Sequence, residues 1–220
     1  ENYPEAFRQL DFIRTLANSL LITVSSVIII VIFSAMAAYA LERIKSKFST
    51  VTFMVFVAAM LVPFQSVMIP LVALFGKAQM LNQIGIIFMY LGFGGSMSIF
   101  LYHGAMKSIP RALDEAAIID GASRWQVFWK VIFPMLKPTT VTVAVLNTMW
   151  IWNDYLLPSL VINSPTTQTI PLKMFFFFGQ YTKQWHLALA GLVIAILPVI
   201  IFYFFMQKQI IKGVADGAVK

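Results

Sequence analysis

Twenty-seven consecutive residues, Thr15 to Leu41, include no Asp, Glu, Lys or Arg. No other pattern limits the fold of this chain so strongly. In lipid every backbone N–H and C=O must be satisfied internally, which a helix does, and about 20 apolar residues carry a helix across the hydrocarbon core. The run predicts a first membrane span at about Leu16–Leu41. Composition agrees, with 11% charged residues against roughly 25% in soluble domains.

Four further apolar blocks follow. The second is expected at about Thr50–Phe75, kinked by Pro63 and Pro70. The third, about Ile84–Met106, carries Gly92 and Ser96, and Gly94 and Ser98, at the small-xxx-small spacing that lets helices approach closely. The fourth is expected at about Pro138–Ile162 and the fifth at about Leu187–Met206, kinked at Pro198. Between them lies Asn163–His186, with a turn at Ser164-Pro165 and a Phe175–Phe178 run suited to the membrane interface. The fold class is therefore all-α: a polytopic transmembrane helix bundle, one membrane domain over residues 1–220. No polar insert of domain size interrupts the blocks. The chain begins with Glu1 and Glu1–Asp11 is polar, so a signal peptide is not expected here and an upstream piece is.

The net charge of +7 does not call for nucleic acid, because the basic residues sit in short loops between spans. Eleven of the sixteen fall on one side: Arg43, Lys45 and Lys47, then Lys107, Arg111, Arg124, Lys130 and Lys137, then Lys208, Lys212 and Lys220. Arg8, Arg14, Lys77, Lys173 and Lys183 fall on the other. By the positive-inside rule the 107–137 loop and the C-terminus are cytoplasmic.

That loop has its own pattern. Pro110 suits a first helical turn, and Asp114 and Glu115 lie where the positive end of a helix dipole favours acids. Ala112, Ala116 and Ile119 recur at i, i+4, i+7, with Leu113 and Ala117 widening a mostly small apolar stripe. Asp120-Gly121 follows, with Gly121 as a left-handed cap. Ser123-Arg124-Trp125-Gln126 reads as a capping box opening a second helix, which is expected to run to about Phe133, before Pro134. A helix, a glycine turn and another helix are thus expected on the charged side of a membrane.

Glu115-Ala116-Ala117, three residues, Gly121, nine residues, Val131, one residue, then Phe133-Pro134 resembles the EAA loop of binding-protein-dependent ABC importer permeases. Val131 and Phe133 stand where the family prefers Ile and Leu. The resemblance continues through Trp152-Asn153-Asp154-Tyr155 and the tail Lys212–Ala218, and is greatest to the carbohydrate (maltose-type) branch. It implies a permease subunit in a prokaryotic cell membrane, with six core spans, the missing one lying upstream. It also implies partners: a second permease, two ATPase subunits and an extracytoplasmic solute-binding protein. Coupling to the ATPase would fall to Ala112, Leu113, Glu115, Ala116, Ala117, Ile119, Asp120 and Gly121.

Few residues could carry chemistry. Asp154 is the one acid well inside an apolar block, sixteen residues past Pro138. On a continuous helix that is roughly 24 Å along the axis, in the outer part of the span. A charge there faces a bundle interior or wet cavity by default. Asn147, Trp150, Trp152, Asn153 and Tyr155 surround it in sequence. Rings for sugar C–H faces, with amide and acid groups for hydroxyls, suit a polyol passage; an aromatic belt with a helix-to-helix hydrogen bond is the alternative. His103 and His186 have no second ligand at metal spacing. The phosphate-cradling G-x-x-x-x-G-K-[ST] motif is absent, so no cofactor is expected on this chain; the resemblance implies that ATP and Mg are held by the partner ATPase. Without cysteine there is no disulfide or thiolate chemistry, and no triad or carboxylate pair suggests an enzyme. A permease for a non-sugar solute is the alternative function. A self-contained secondary transporter or channel is further off, since it needs midplane ionisable groups or broken helices.

Overall fold

The computed structural model describes residues 2–177 and 184–218, with side chains up to 207 except at position 176. Among the described residues all regular structure is helical. Phe178 and Lys183 fall outside that range, as do the side chains of the Lys212–Ala218 tail.

The chain opens with a short helix, α1 (Asn2–Gln9), that the polar composition did not suggest. Glu5 accepts hydrogen bonds from Arg8 and Gln9 on its exposed side, while Ala6 is buried. Asp11, at φ 46°, turns the chain into α2 (Phe12–Arg43). This 32-residue helix contains the whole charge-free run.

The second apolar block is two helices, α3 (Lys47–Ala59) and α4 (Phe64–Lys77), bent by 104°. Pro63 accounts for the break: it has no N–H to donate, and its ring would meet the carbonyl four residues back, at Ala59, where α3 ends. Pro70 stays inside α4. Helix α5 (Gln83–Met106) matches the third block closely.

The 107–137 region contains α6 (Ala112–Ile119) and α7 (Arg124–Val127), which passes through a π-turn at Phe128–Ile132 into α8 (Phe133–Met135). The second helical stretch thus runs two residues beyond its expected end at Phe133. The π-turn widens the helix just before Pro134, where the ring would otherwise crowd the preceding turn.

Helix α9 covers Lys137–Asn153 and α10 covers Leu156–Val161. The expected continuous span over about Pro138–Ile162 is therefore corrected. Pro158 lacks the N–H that residue 154 needs, and its ring opposes the carbonyl there, so the helix stops at Asn153. After a 3-10 turn at Pro165–Thr167 come α11 (Ile170–Met174), a 3-10 turn at Phe175–Phe177, and α12 (Trp185–Ala218) with Pro198 inside it.

Among the described residues, three helices are long and apolar enough to cross a membrane: α2, α5 and the Trp185–Gln207 part of α12. Counting each bent pair as one span raises the number to five, the second pair being Arg124–Met135 with α9, at 76°.

Contacts divide the chain into two compact units. The first comprises residues 1–26, 68–89 and 148–207. Its core joins Ala6 and Leu10 to Trp152, Met174, Phe177 and Leu187. Polar groups of α2 fasten the 163–170 segment: Asn18 Nδ2 donates to the carbonyls of Thr166 (2.9 Å) and Gln168 (3.0 Å), and Ser19 Oγ accepts from Ile170 N–H (2.9 Å). The second unit comprises 27–67, 90–147 and 208–220, with Ile30, Tyr90, Ile99, Tyr102 and Ile132 fully buried. Here Tyr102 donates to Thr140 Oγ1 at 2.9 Å, and Ser34 Oγ donates to the Gly95 carbonyl at 3.4 Å, both across α-helices.

Candidate functional site

The helix-glycine-helix hairpin forms as its residues dictate. Gly121 has φ +86°, its N–H reaches the Ile118 carbonyl (2.9 Å), and Ala122 N–H reaches the Ala117 carbonyl (2.9 Å). That pair of bonds is a Schellman cap, which satisfies two of the carbonyls left open at the end of α6. Ser123 then opens α7 with the complete capping box: Gln126 N–H to Ser123 Oγ (3.3 Å), and Ser123 N–H to Gln126 Oε1 (2.8 Å).

The two faces of α6 differ. Ala112, Glu115, Ala116 and Ile119 are exposed, Ile119 at 85%; Leu113 and Ala117 are half-buried, and Asp120 and Gly121 are exposed. Trp125 extends the exposed apolar surface beyond the turn. Nothing lies within 4 Å of a Cβ built on Gly121, so space does not forbid a side chain at the turn. A helix that leaves small residues and an isoleucine open offers a partner close backbone approach.

Asp114 holds the opposite face. The helix dipole accounts for an acid at this position, but the structure supplies a more specific partner. Its Oδ1 accepts from Tyr39 Oη (2.8 Å) and Arg43 Nε (3.2 Å), and its Oδ2 lies 2.9 Å from Arg43 Nη2. The same Nη2 donates to the Ile109 carbonyl at 3.3 Å. The ion-paired side chains are only 13% and 11% exposed. Nothing local in the sequence marks this cluster, since 71 residues separate its charges. The spacing of Tyr39 and Arg43, four apart on one face of α2, was the only available hint.

The residues expected to line a passage separate into different surroundings. Trp152, Asn153 and Tyr155 line one cavity of about 380 Å³ with Met174, Phe175 and Trp185. Tyr155 packs on Phe175 with ring centroids 4.9 Å apart, and Trp152 also belongs to the core of the first unit. Asn153 is exposed and donates to the Met149 carbonyl at 2.7 Å. Trp150 is exposed as well. Asp154 is not within a spanning helix, contrary to expectation; it occupies the break after α9, where its Oδ1 accepts from Leu156 N–H at 3.0 Å. An acid that accepts a backbone N–H at the start of α10 has a local structural task. Asn147 lies elsewhere, buried in the second unit, donating to Ser98 Oγ (3.1 Å) and the Val143 carbonyl (2.8 Å).

Among the described residues no three His, Cys, Asp or Glu side chains converge as a metal site. His103 instead stacks on Phe53 (3.9 Å between ring centroids) and lies 3.2 Å from Glu42 Oε2.

Comparison with known proteins places this geometry. Residues 30–216 match the model of the binding-protein-dependent transport system inner membrane component family. The whole chain is 58% identical over 220 residues to a probable starch degradation products transport system permease protein of Thermoanaerobacterium thermosulfurigenes, covering 80% of it. It is 39% identical over 207 residues to the multiple sugar-binding transport system permease protein of Streptococcus mutans, covering 92% of this chain and 75% of that one. It is 34% identical over 221 residues to the melibiose/raffinose/stachyose import permease protein of Bacillus subtilis, covering 100% and 80%. The crystal structure of a bacterial ABC transporter that imports the acidic polysaccharide alginate superposes with a TM-score of 0.79 at 27% identity, over 94% of this chain and 78% of that chain. The chain is a multi-pass membrane protein and belongs to the binding-protein-dependent transport system inner membrane component family, as a non-enzymatic permease subunit of an ABC importer.

Proposed function

We propose that this permease carries a carbohydrate, an oligosaccharide of the kind released from starch, into a prokaryotic cell. The observation that carries this reading is the 58% identity, over the full 220 residues, to a relative named for starch degradation products. Relatives at 39% and 34% identity are named for other sugars. On this reading residues 1–220 form one transmembrane domain with a coupling loop at about 107–137. Its partners are a second permease, two ATPase subunits that hold ATP and Mg, and an extracytoplasmic solute-binding protein. Five spans belong to this stretch and a sixth precedes it. The basic asymmetry supports a cytoplasmic position for the coupling loop and C-terminus.

The ATPase docks on the outer face of α6. Ala112, Ala116 and Ile119 form the contact stripe, Leu113 and Ala117 flank it, Glu115 and Asp120 supply charge, and Gly121 sets the turn. Exposure of that stripe, with Asp114 turned inward, supports this role. Trp152, Asn153 and Tyr155 belong to the outer passage, with Asp154 shaping the break that presents them. Reconstitution of the importer in vesicles tests the whole reading. Labelled maltooligosaccharide should enter only with ATP and the binding protein present, and uptake without either, or none with both, would defeat it.

A further inference from the structure

The last turn of α2 is tied to the inner face of α6, and the chemistry of that tie is unusually specific. Tyr39 and Arg43, one turn apart, both engage Asp114: a phenol O–H at 2.8 Å, a guanidinium Nε at 3.2 Å and Nη2 at 2.9 Å. The guanidinium donates one hydrogen bond to the carboxylate, from Nε to Oδ1, and Nη2 adds an ion-pair contact to Oδ2. An ammonium in place of the guanidinium would supply charge without the rigid, planar set of donors that serves both the carboxylate and its other partners. The tie extends to both sides. The Arg43 guanidinium also donates to the Ile109 carbonyl just before α6, and Arg111 donates to the Glu42 carbonyl. The Tyr39 ring packs on Phe128, at the start of the π-turn, with centroids 5.4 Å apart. The residue before Arg43 in α2, Glu42, faces His103 of α5.

Thus α6 meets its outer partner with small, exposed residues and meets a spanning helix through one buried ionic cluster. A buried pair broken on one side leaves an uncompensated charge, so the contact resists gradual slippage. We propose that Tyr39, Arg43 and Asp114 act as a latch that passes movement of α6 to the spanning helix α2, making them positioning residues for transport. This inference rests on the reading of α6 as the ATPase-docking helix. The latch couples the two elements; it does not form the docking surface.

The test uses the complete importer, with full-length permease, partner permease, ATPases and binding protein, in vesicles. Three quantities are measured for Tyr39→Phe, Arg43→Lys and Asp114→Asn: ATPase copurification, ATP hydrolysis rate and solute moved per ATP. Copurification should match the unsubstituted complex, and hydrolysis should persist. Solute per ATP should fall at least about fivefold for Arg43→Lys and Asp114→Asn, the lower end of ordinary coupling between sites. The double variant should fall no further than the worse single, because both act through one contact. A cluster that only stabilised the fold would lower yield and melting temperature while leaving solute per ATP unchanged. That outcome overturns the proposal, as does a transport loss that merely follows lost ATPase binding. Should the charged variants fail to assemble, Tyr39→Phe, which removes a single hydroxyl, decides: an unchanged ratio there overturns the latch. If instead the unsubstituted permease holds no ATPase, the docking reading fails and the latch with it.

Discussion

Asn147 Nδ2 donates to Ser98 Oγ at 3.1 Å, and the crossing of α9 over α5 at this bond leaves no room for a side chain at Gly94. A Cβ there would collide with Asn147 Oδ1 and stand 2.8 Å from Ile30 Cδ1. Gly94→Ala should therefore lower stability by about 1–3 kcal/mol, the usual cost of overpacking. Asn147→Ala alone should cost about 0.6–1.7 kcal/mol, the range for one intramembrane hydrogen bond. Combining them should cost less than the sum, because the second change removes the atom that the first one strikes. Thermal unfolding of the purified protein in detergent measures all three, and strict additivity would contradict the packing described here.

Gly121→Val isolates backbone conformation from space. No atom lies near the new Cβ, but φ +86° is a conformation that a β-branched residue resists. The expected result is normal insertion with weakened ATPase copurification, since the turn after α6 must reshape. Ala116→Trp should weaken copurification by filling the exposed stripe. Wild-type retention of the ATPase by both variants would remove α6 from the docking role.

Residues 1–220 contain no cysteine, so a single Cys can be placed among them without removing another from this stretch. Lys45→Cys and Ile119→Cys, both exposed, should react with an impermeant thiol reagent only from the cytoplasmic face. Ile119→Cys should be shielded once the ATPase is bound, whereas Lys45→Cys should not. Labelling of either from outside would reverse the proposed orientation.

Asp154 is expected to show two separable contributions. Asp154→Asn keeps an oxygen for Leu156 N–H, whereas Asp154→Ala removes it and should cost about 1 kcal/mol, as at other helix starts. A fall in uptake with Asp154→Asn at unchanged melting temperature would mark the charge itself as part of the passage. Uptake that follows only the stability loss of Asp154→Ala would confine the residue to shaping the break.

Local chemistry was legible before any coordinates. The charge-free run from Thr15 to Leu41 could only be a spanning helix, because lipid leaves its backbone groups no other partners. Gly121 and the Ser123–Gln126 pair define their turn and cap through atoms a few residues apart, so spacing alone reveals them. The apolar stripe of α6 follows from helical periodicity in the same way. Asp154 shows the limit of such reading. Hydropathy continues through it to Ile162, and the rigid ring of Pro158 weighed against helix continuity at a position where composition showed no interruption. Asp114 and Asn147 were beyond sequence reading for a different reason. A carboxylate can be served by a helix dipole or by a guanidinium 71 residues away, and an amide by a solute or by a serine on the next helix. Only the packing of α2 on α6 and of α9 on α5 chose between them, because hydrogen bonds over 3 Å depend on which helices meet and not on what each helix contains.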